Sequence, residues 1–445
     1  MPFGFVCKKD FPLLCDLYEL TMAQIYFKKG MNQRAVFDFF IRPNKKRVYY
    51  VMAGLEQLLY YLEHLRFGKE EIAYLRSLGI FEEEFLEYLS HFRFSGEMWA
   101  VEEGEIVFAN EPLVSVKAPL IEAQIIETFL INTLQHPILV ATKAARCYSV
   151  AQGTVLVDFG LRRAHGTDAG MKAARSAYIA GFAGTSNMLA GKKFGIPVIG
   201  TMAHSFILAH KNEIEAFKDF LAQYPENAVL LVDTFDTLQG VKNAIKAVKS
   251  MGMKHFKGIR LDSGDIATLA VQARKMLDNA GFKDTKIIVS GGLNEYKIKE
   301  LLEQKIPIDG WGVGTELVVS ADVPYLDCAY KLVEYADKPK MKLSPHKVTL
   351  PAQKQIFRFE SGGEFQKDII DLFDNSHEGS KKLLQKVMDN GEICYELPSL
   401  QQIQECFKHN ITMLPKKFLD ITSDEPYVPQ IGKALQDLCE KLKTP

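Results

Sequence analysis

The sequence predicts an α/β protein: an irregular (β/α) barrel with a discontinuous α+β domain built from the N- and C-terminal portions. Three observations carry this. Six short apolar runs between residues 154 and 316 each end in polar, Gly-rich or charged residues. The stretch before them mixes β-rich and helical segments, and so does the stretch after them. No low-complexity linker separates the parts.

The six runs read TVLVDFGLRR, VIGTMAHSF, VLLVDTFDT, GIRLDSGD, IIVSGG and GWGVGTE. Four of the five intervals are about 25 to 30 residues, and the first is longer. That period fits a strand, a crossover helix and the next parallel strand. Such strands align their C-terminal ends along one edge, where loops build the site. The expected boundaries are 1–135 for the N-terminal α+β part, 136–335 for the barrel and 336–445 for the C-terminal segment, which packs on the first part.

Residues 12–30 read as an amphipathic helix stopped by Gly30. RAVFDFFIR is rich in β formers, residues 53–91 read as helical, and EMWAVEEGEIVFANEPLVSVKAP reads as β structure with turns at Gly104 and Asn110-Glu111-Pro112. LIEAQIIETFLINTLQHPILVATKAARCYSVAQG reads as long helix. Beyond the barrel, KLSPHKVTLPAQKQIFRFESGGEFQKDII reads as β structure with turns at Ser344-Pro345 and Gly362-Gly363, and the chain ends in a charged helix.

The strand exits carry the candidate chemistry. In VIGTMAHSF, Val198 and Ile199 finish a buried strand, and Thr201 and His204 follow. An imidazole there suits a general base or nucleophile, because its pKa lies near neutrality. The competing reading is a core or capping histidine. Asp233 could orient His204 and stabilise its cation, whereas Asp236 caps the next helix. Arg260 offers a planar fork for phosphate or carboxylate. Asp262 could hold ribose hydroxyls or Mg²⁺, and Asp265 reads as a cap. IIVSGG and GWGVGTE are exits whose backbone N–H groups open toward an anion, although either alone could be a plain turn. Phe159 beside Arg162 and Arg163 suits an aromatic anion, or else is a core ring with two surface arginines.

Bulk properties narrow the class. Apolar residues make up 47 % of the 445 and charged residues 24 %, as in an ordinary globular enzyme. A formal net charge of -1 implies no nucleic-acid partner. Seven scattered Cys show no metal-ligand spacing and read as reduced thiols. Lys8, Lys9, Asp10, Asp16 and Glu19 break the N-terminal apolar stretch, which excludes a signal-peptide core. No run approaches the roughly 20 apolar residues a membrane span needs. A cytoplasmic enzyme with no membrane partner is expected.

Taken together, DLYELTMAQ, FDFFIR, EGEIVFANEPLVSV, IETFLIN, DFGLRRAHG, GTMAHSF, LVDTFDT, IRLDSGD, VSGGLNE and GVGTE resemble the nicotinate phosphoribosyltransferase family along most of the chain. The resemblance implies a type II phosphoribosyltransferase fold and a head-to-tail homodimer with shared sites. It implies formation of nicotinate mononucleotide and diphosphate from nicotinate and 5-phosphoribosyl 1-diphosphate, with Mg²⁺ and with ATP as co-substrate. By the same resemblance His204 is the phosphorylated histidine and Asp233 its carboxylate partner. Tyr18, from the other subunit, and Phe159 clamp the pyridine. Thr201 and Arg260 contact nicotinate. Gly291, Gly292, Gly314 and Thr315 contact the phosphoribosyl diphosphate, and Asp262 holds the ribose.

Two departures bear on this. The related nicotinamide enzyme carries an Asp where this chain reads GTSNMLAG, with Ser186 and Asn187 and no acid. Two like charges about 4 Å apart would cost roughly 4 kcal/mol at an effective dielectric near 20, so a carboxylate substrate requires that absence. Ala352 stands where the family's late turn has Gly. Nicotinamide and quinolinate transferases and a catalytically silent binding barrel are the alternatives. A dicarboxylate would call for a larger basic cluster.

Overall fold

The computed structural model describes residues 6–344 and 349–443. The chain divides into two compact units, residues 140–324 and residues 1–139 with 325–445.

Residues 140–324 hold a six-stranded, all-parallel sheet. Its strands are β1 (Val155–Asp158), β2 (Gly184–Thr185), β3 (Val229–Leu231), β4 (Gly258–Leu261), β5 (Lys286–Ser290) and β6 (Gly310–Val313), in the order β2-β1-β6-β5-β4-β3. Helices Thr167–Ile179, Glu213–Gln223, Thr237–Ser250, Ile266–Asn279 and Glu295–Glu303 lie one in each of the five crossovers. Each of the last three starts at a side-chain cap, from Asp236, Asp265 and Asn294, which gives an otherwise orphaned N–H its acceptor. The expected α/β class is therefore what is found.

Two local expectations need correction. The long first interval contains an extra strand, β2, of only two residues. That is too short to display an alternating pattern. Val198 and Ile199 do not finish a buried strand. Val198 makes a single parallel bridge to Thr185 and is 46 % exposed, and Pro197, which lacks an N–H, precedes it.

In the other unit, strands from both chain ends interleave in one antiparallel sheet. Arg34–Ile41 lies between Val114–Pro119 and Cys328–Tyr335, and Glu97–Val101 pairs with Leu384–Asp389. Arg358 is fully buried. Its Nη2 lies 2.7 Å from Asp368 and its Nη1 3.4 Å from Glu105, so N- and C-terminal segments share one ion network. The expected helix over 12–30 is a 3₁₀ turn, Lys8–Leu13, followed by an α-helix, Leu17–Lys28. That helix is not amphipathic: Leu20 and Ala23 are buried while Leu17 and Ile25 stand exposed on its other side. The turn expected at Gly362-Gly363 joins strands Lys354–Ser361 and Glu364–Leu372, whereas Pro345 of the Ser344-Pro345 turn lies outside the described residues.

Ala352 adopts φ +61°, the left-handed conformation, and is buried. Its N–H donates to Val333 O and its carbonyl accepts from Lys354 Nζ at 2.6 Å, so the backbone cannot relax. A side chain in this region costs roughly 1–2 kcal/mol, partly offset by the greater chain entropy glycine loses on folding. Ala352→Gly is expected to stabilise the protein by about 0.5–1 kcal/mol in denaturant titration. Destabilisation would show that the turn bears no strain.

Candidate active site

Parallel register sets the heights of the strand exits. Leu231 pairs with Arg260, Leu261 with Val289, Ser290 with Gly312, and Val313 with Asp158, which pairs in turn with Thr185. Asp233, Asp262 and Ser290 consequently emerge side by side. The Asp262 N–H donates to Asp233 Oδ2 at 2.9 Å, and Ser263 Oγ donates to the same oxygen at 2.7 Å. Ser290 Oγ donates to Asp262 Oδ1.

Asp233 Oδ2 is therefore taken by its neighbours, while its Oδ1 is buried without a hydrogen-bond partner and makes no bond to His204 here. The group on His204 Nδ1 is the Thr234 hydroxyl at 3.0 Å, and Nε2 faces Asp262 Oδ2 at 4.0 Å. Asp233 is only 9 % exposed, and its Oδ2 satisfies an N–H that would otherwise be costly to leave unpaired. Thr234 was not singled out in the sequence, where it reads only as a spacer between two Asp.

Arg260 and Thr201 do come together. Arg260 Nη1 donates to Thr201 Oγ1, and Nη2 donates to Met202 O at 3.1 Å. Burial pulls the guanidinium pKa below its usual value, and the nearby Arg162 pulls the same way against Asp262 and Asp233. A half-desolvated Arg beside a second cation is poised for an anion.

The Phe159 ring lies where a Cβ on Gly312 would sit, at 2.4 Å, so this glycine makes room for the aromatic. Phe159, Thr201, Val157, Ile199, Ile288 and Trp311 line a cavity of about 900 Å³ that extends to the strand starts at Thr154, Lys257, Lys286 and Asp309, with His204, Arg260 and Asp262 outside its lining. Asp158, missed in the sequence because it reads as a strand-end acid like any other, is buried and accepts from Gly160 N and Thr185 Oγ1, which fixes the turn that presents Phe159.

Where a nicotinamide-type site would need an acid, β2 exits through Ser186 and Asn187. Asn187 Oδ1 caps the following helix on Leu189 N and Ala190 N, each at 3.1 Å, so neither exit residue is an acid, and the acid next to them, Asp158, is buried on Thr185. Gly291 is at φ +89°, and a Cβ on it would meet Asp262 O at 2.1 Å. Only glycine lets this exit run so close to β4. Gly292, Gly314 and Thr315 continue the two Gly-rich exits, with Thr315 exposed at the first turn of Thr315–Val318. Among the described residues no group of three His, Cys, Asp or Glu forms a ready metal cage. Tyr18 belongs to the other unit, 44 % exposed on helix Leu17–Lys28. Beside it Glu19 is fully buried, its carboxyl pushed up to about 8 chiefly by burial.

Fold and site define a class: an α/β-barrel enzyme whose strand exits carry Arg, His, two neighbouring Asp and Gly-rich loops along one sheet edge. Three family models cover the chain: the nicotinate phosphoribosyltransferase N-terminal domain over residues 13–135, the nicotinate phosphoribosyltransferase family over 154–352, and its C-terminal domain over 373–439. Nicotinate phosphoribosyltransferase pncB2 of Mycobacterium tuberculosis is 45 % identical over 406 residues, covering 91 % of this chain and 87 % of its own. The Bacillus subtilis nicotinate phosphoribosyltransferase is 40 % identical over 462 residues, covering 96 % and 94 %. The crystal structure of human nicotinic acid phosphoribosyltransferase superposes with a TM-score of 0.85 at 25 % identity, covering 96 % of this chain and 99 % of that one. The chain belongs to the nicotinate phosphoribosyltransferase family.

An Arg fork on a substrate anion is a charge-assisted contact whose loss costs about 2–5 kcal/mol. Arg260→Ala is expected to lower catalytic efficiency more than tenfold with an unchanged circular dichroism spectrum. Unchanged kinetics would make Arg260 a structural residue.

Proposed function

We propose that this chain joins nicotinate to 5-phosphoribosyl 1-diphosphate, forming nicotinate mononucleotide and diphosphate, as the first step of NAD salvage from nicotinate. The observation that carries the reading is the pairing of Arg260 and Thr201 with an acid-free β2 exit. A pyridine carboxylate finds a cation and a hydroxyl there, and the β2 exit residues Ser186 and Asn187 add no acid of their own. The fold, the family and the names of the relatives support the same activity.

The pyridine nitrogen attacks the anomeric carbon while the bond from that carbon to the diphosphate oxygen breaks, its electron pair leaving with diphosphate. The nucleophile has no proton to lose, so no external base is required. What the site must supply is alignment and charge. Phe159 holds the ring face and Arg260 the carboxylate. The Gly291–Gly292 and Gly314–Thr315 exits offer backbone N–H groups to phosphate. Asp262, whose Oδ1 accepts from Ser290, and Asp233, whose buried Oδ1 has no hydrogen-bond partner, would hold a Mg²⁺, which would offset the charge of the departing diphosphate.

ATP enters as a second substrate in this reading. A ring nitrogen of His204 takes the γ-phosphoryl group as ADP leaves, and water later releases phosphate, so the protein alternates between two charge states. His204 is half exposed and held by Thr234, which suits a nucleophile that must meet ATP. The working unit is a homodimer in the cytoplasm. Helix Leu17–Lys28 leaves Leu17, Tyr18 and Ile25 uncovered, a face suited to a second subunit, and all seven cysteines are free.

Nicotinate, nicotinamide and quinolinate offered side by side test the reading. Nicotinate is expected to be consumed at least a hundredfold more efficiently than either, since a charged contact of the Arg260 kind is worth about 3 kcal/mol. Preference for nicotinamide or quinolinate would overturn the assignment, and no turnover of any would favour a silent binding barrel. A second test mixes Tyr18→Ala and His204→Ala subunits. Each is expected to be weak alone, with His204→Ala losing substrate-stimulated ATP hydrolysis. Mixed dimers are expected to recover up to one intact site. Dimers shown to form without any recovery would rule out a ring clamp completed across the interface.

A further inference from the structure

Behind the two Gly-rich exits lies a buried charge network that the reaction itself does not use. Lys143, on helix Glu127–Val150, is 1 % exposed. Its ammonium lies 2.6 Å from Glu295 Oε2 and 2.7 Å from Asp322 Oδ1. Arg146, one turn further on, places Nε 2.8 Å from Glu295 Oε1 and donates from Nη2 to the Tyr296 hydroxyl at 2.9 Å. Glu295 is completely buried.

The positions of the two acids in the chain give the network its meaning. Glu295 opens the helix that follows Gly291-Gly292-Leu293-Asn294. Asp322 follows Gly314, the short helix Thr315–Val318 and the buried, left-handed Ser320 at φ +42°. One ammonium thus ties down the segment after each of the two exits. The first exit is held from its other side too, where Gly291 packs on the Asp262 carbonyl. A phosphate-bearing substrate gripped by both exits depends on their spacing, and backbone N–H groups misplaced by a fraction of an ångström lose aim.

We propose that Lys143 is a positioning residue for the phosphoribosyl diphosphate. It touches no substrate, but it holds the β5 and β6 exits at the separation that substrate requires. This rests on the functional reading above, in which those exits grip phosphate. A network that serves stability alone would behave differently, since buried ion pairs are weak evidence for stability and often fix one arrangement over others.

The test is a KM split in the full-length enzyme, supported by melting temperature. Lys143→Met is expected to raise KM for 5-phosphoribosyl 1-diphosphate at least tenfold. KM for nicotinate and the phosphorylation of protein by labelled ATP should change less than twofold. Asp322→Ala cuts only the arm to the β6 exit at a partly exposed residue, so it decides the matter if Lys143→Met does not fold. It is expected to raise the same KM about fivefold. Leu277→Val, in the buried face of helix Ile266–Asn279, serves as a control that lowers the melting temperature without cutting the network, and it should leave every KM unchanged. Folded Lys143→Met or Asp322→Ala protein with a lower melting temperature and an unaltered KM for 5-phosphoribosyl 1-diphosphate would overturn the proposal while leaving the activity standing. Wild-type protein that makes no nucleotide from 5-phosphoribosyl 1-diphosphate would overturn both.

Discussion

In-register pairing of parallel strands is the constraint on which the rest of this molecule depends. Because Leu231 pairs with Arg260 and Leu261 with Val289, the exits of β3, β4 and β5 leave the sheet at one height. Asp233, Asp262 and Ser290 then have no choice but to meet. Their hydrogen bonds form a belt that sets the backbone of the β4 exit, against which Gly291 packs. A register slip of one residue would turn these side chains to the other face of the sheet. The belt is structural in its bonds, and its Asp262 also lies 4.0 Å from His204 Nε2 and near the Arg260 guanidinium.

The division of labour among charges follows from burial. Arg260 is partly desolvated and shares its fork with Thr201 and a carbonyl, so it holds one orientation at little further cost on binding. His204 is more open and is held by a neutral hydroxyl. A hydroxyl orients an imidazole without stabilising added positive charge as strongly as a carboxylate would, which is compatible with the phosphoryl transfer proposed for it. The acid-free exit of β2 belongs to the same logic. Asn187 satisfies two helix N–H groups with its amide oxygen, so the exit itself adds no acid, and the nearby Asp158 is buried on Thr185 and Gly160.

Much of this was legible in the sequence, for a definite reason. Apolar runs ending in charged or glycine residues report the strand exits directly, and helix caps such as Asp236 and Asp265 follow from local chemistry alone. What could not be read depends on tertiary geometry. β2 is two residues long and carries no periodicity. His204 Nδ1 meets Thr234, and Asp233 Oδ2 instead takes the N–H of Asp262, a residue distant in sequence. Gly312 looked like part of an anion loop, yet its lack of a side chain also makes room for Phe159. The role of Lys143 was hidden in a helix whose pattern reads as ordinary core. At Ala352 the sequence did signal the anomaly, and the left-handed backbone there is its physical counterpart.

The central claim is that one edge of the sheet binds the pyridine carboxylate and the phosphoribosyl group together. A crystal structure of the protein with nicotinate mononucleotide tests it most directly. The account predicts the carboxylate on Arg260 and Thr201, the ring against Phe159 and the phosphate at the Gly291–Gly292 and Gly314–Thr315 exits. A nucleotide bound with its carboxylate away from Arg260, or with its phosphate away from both exits, would contradict it.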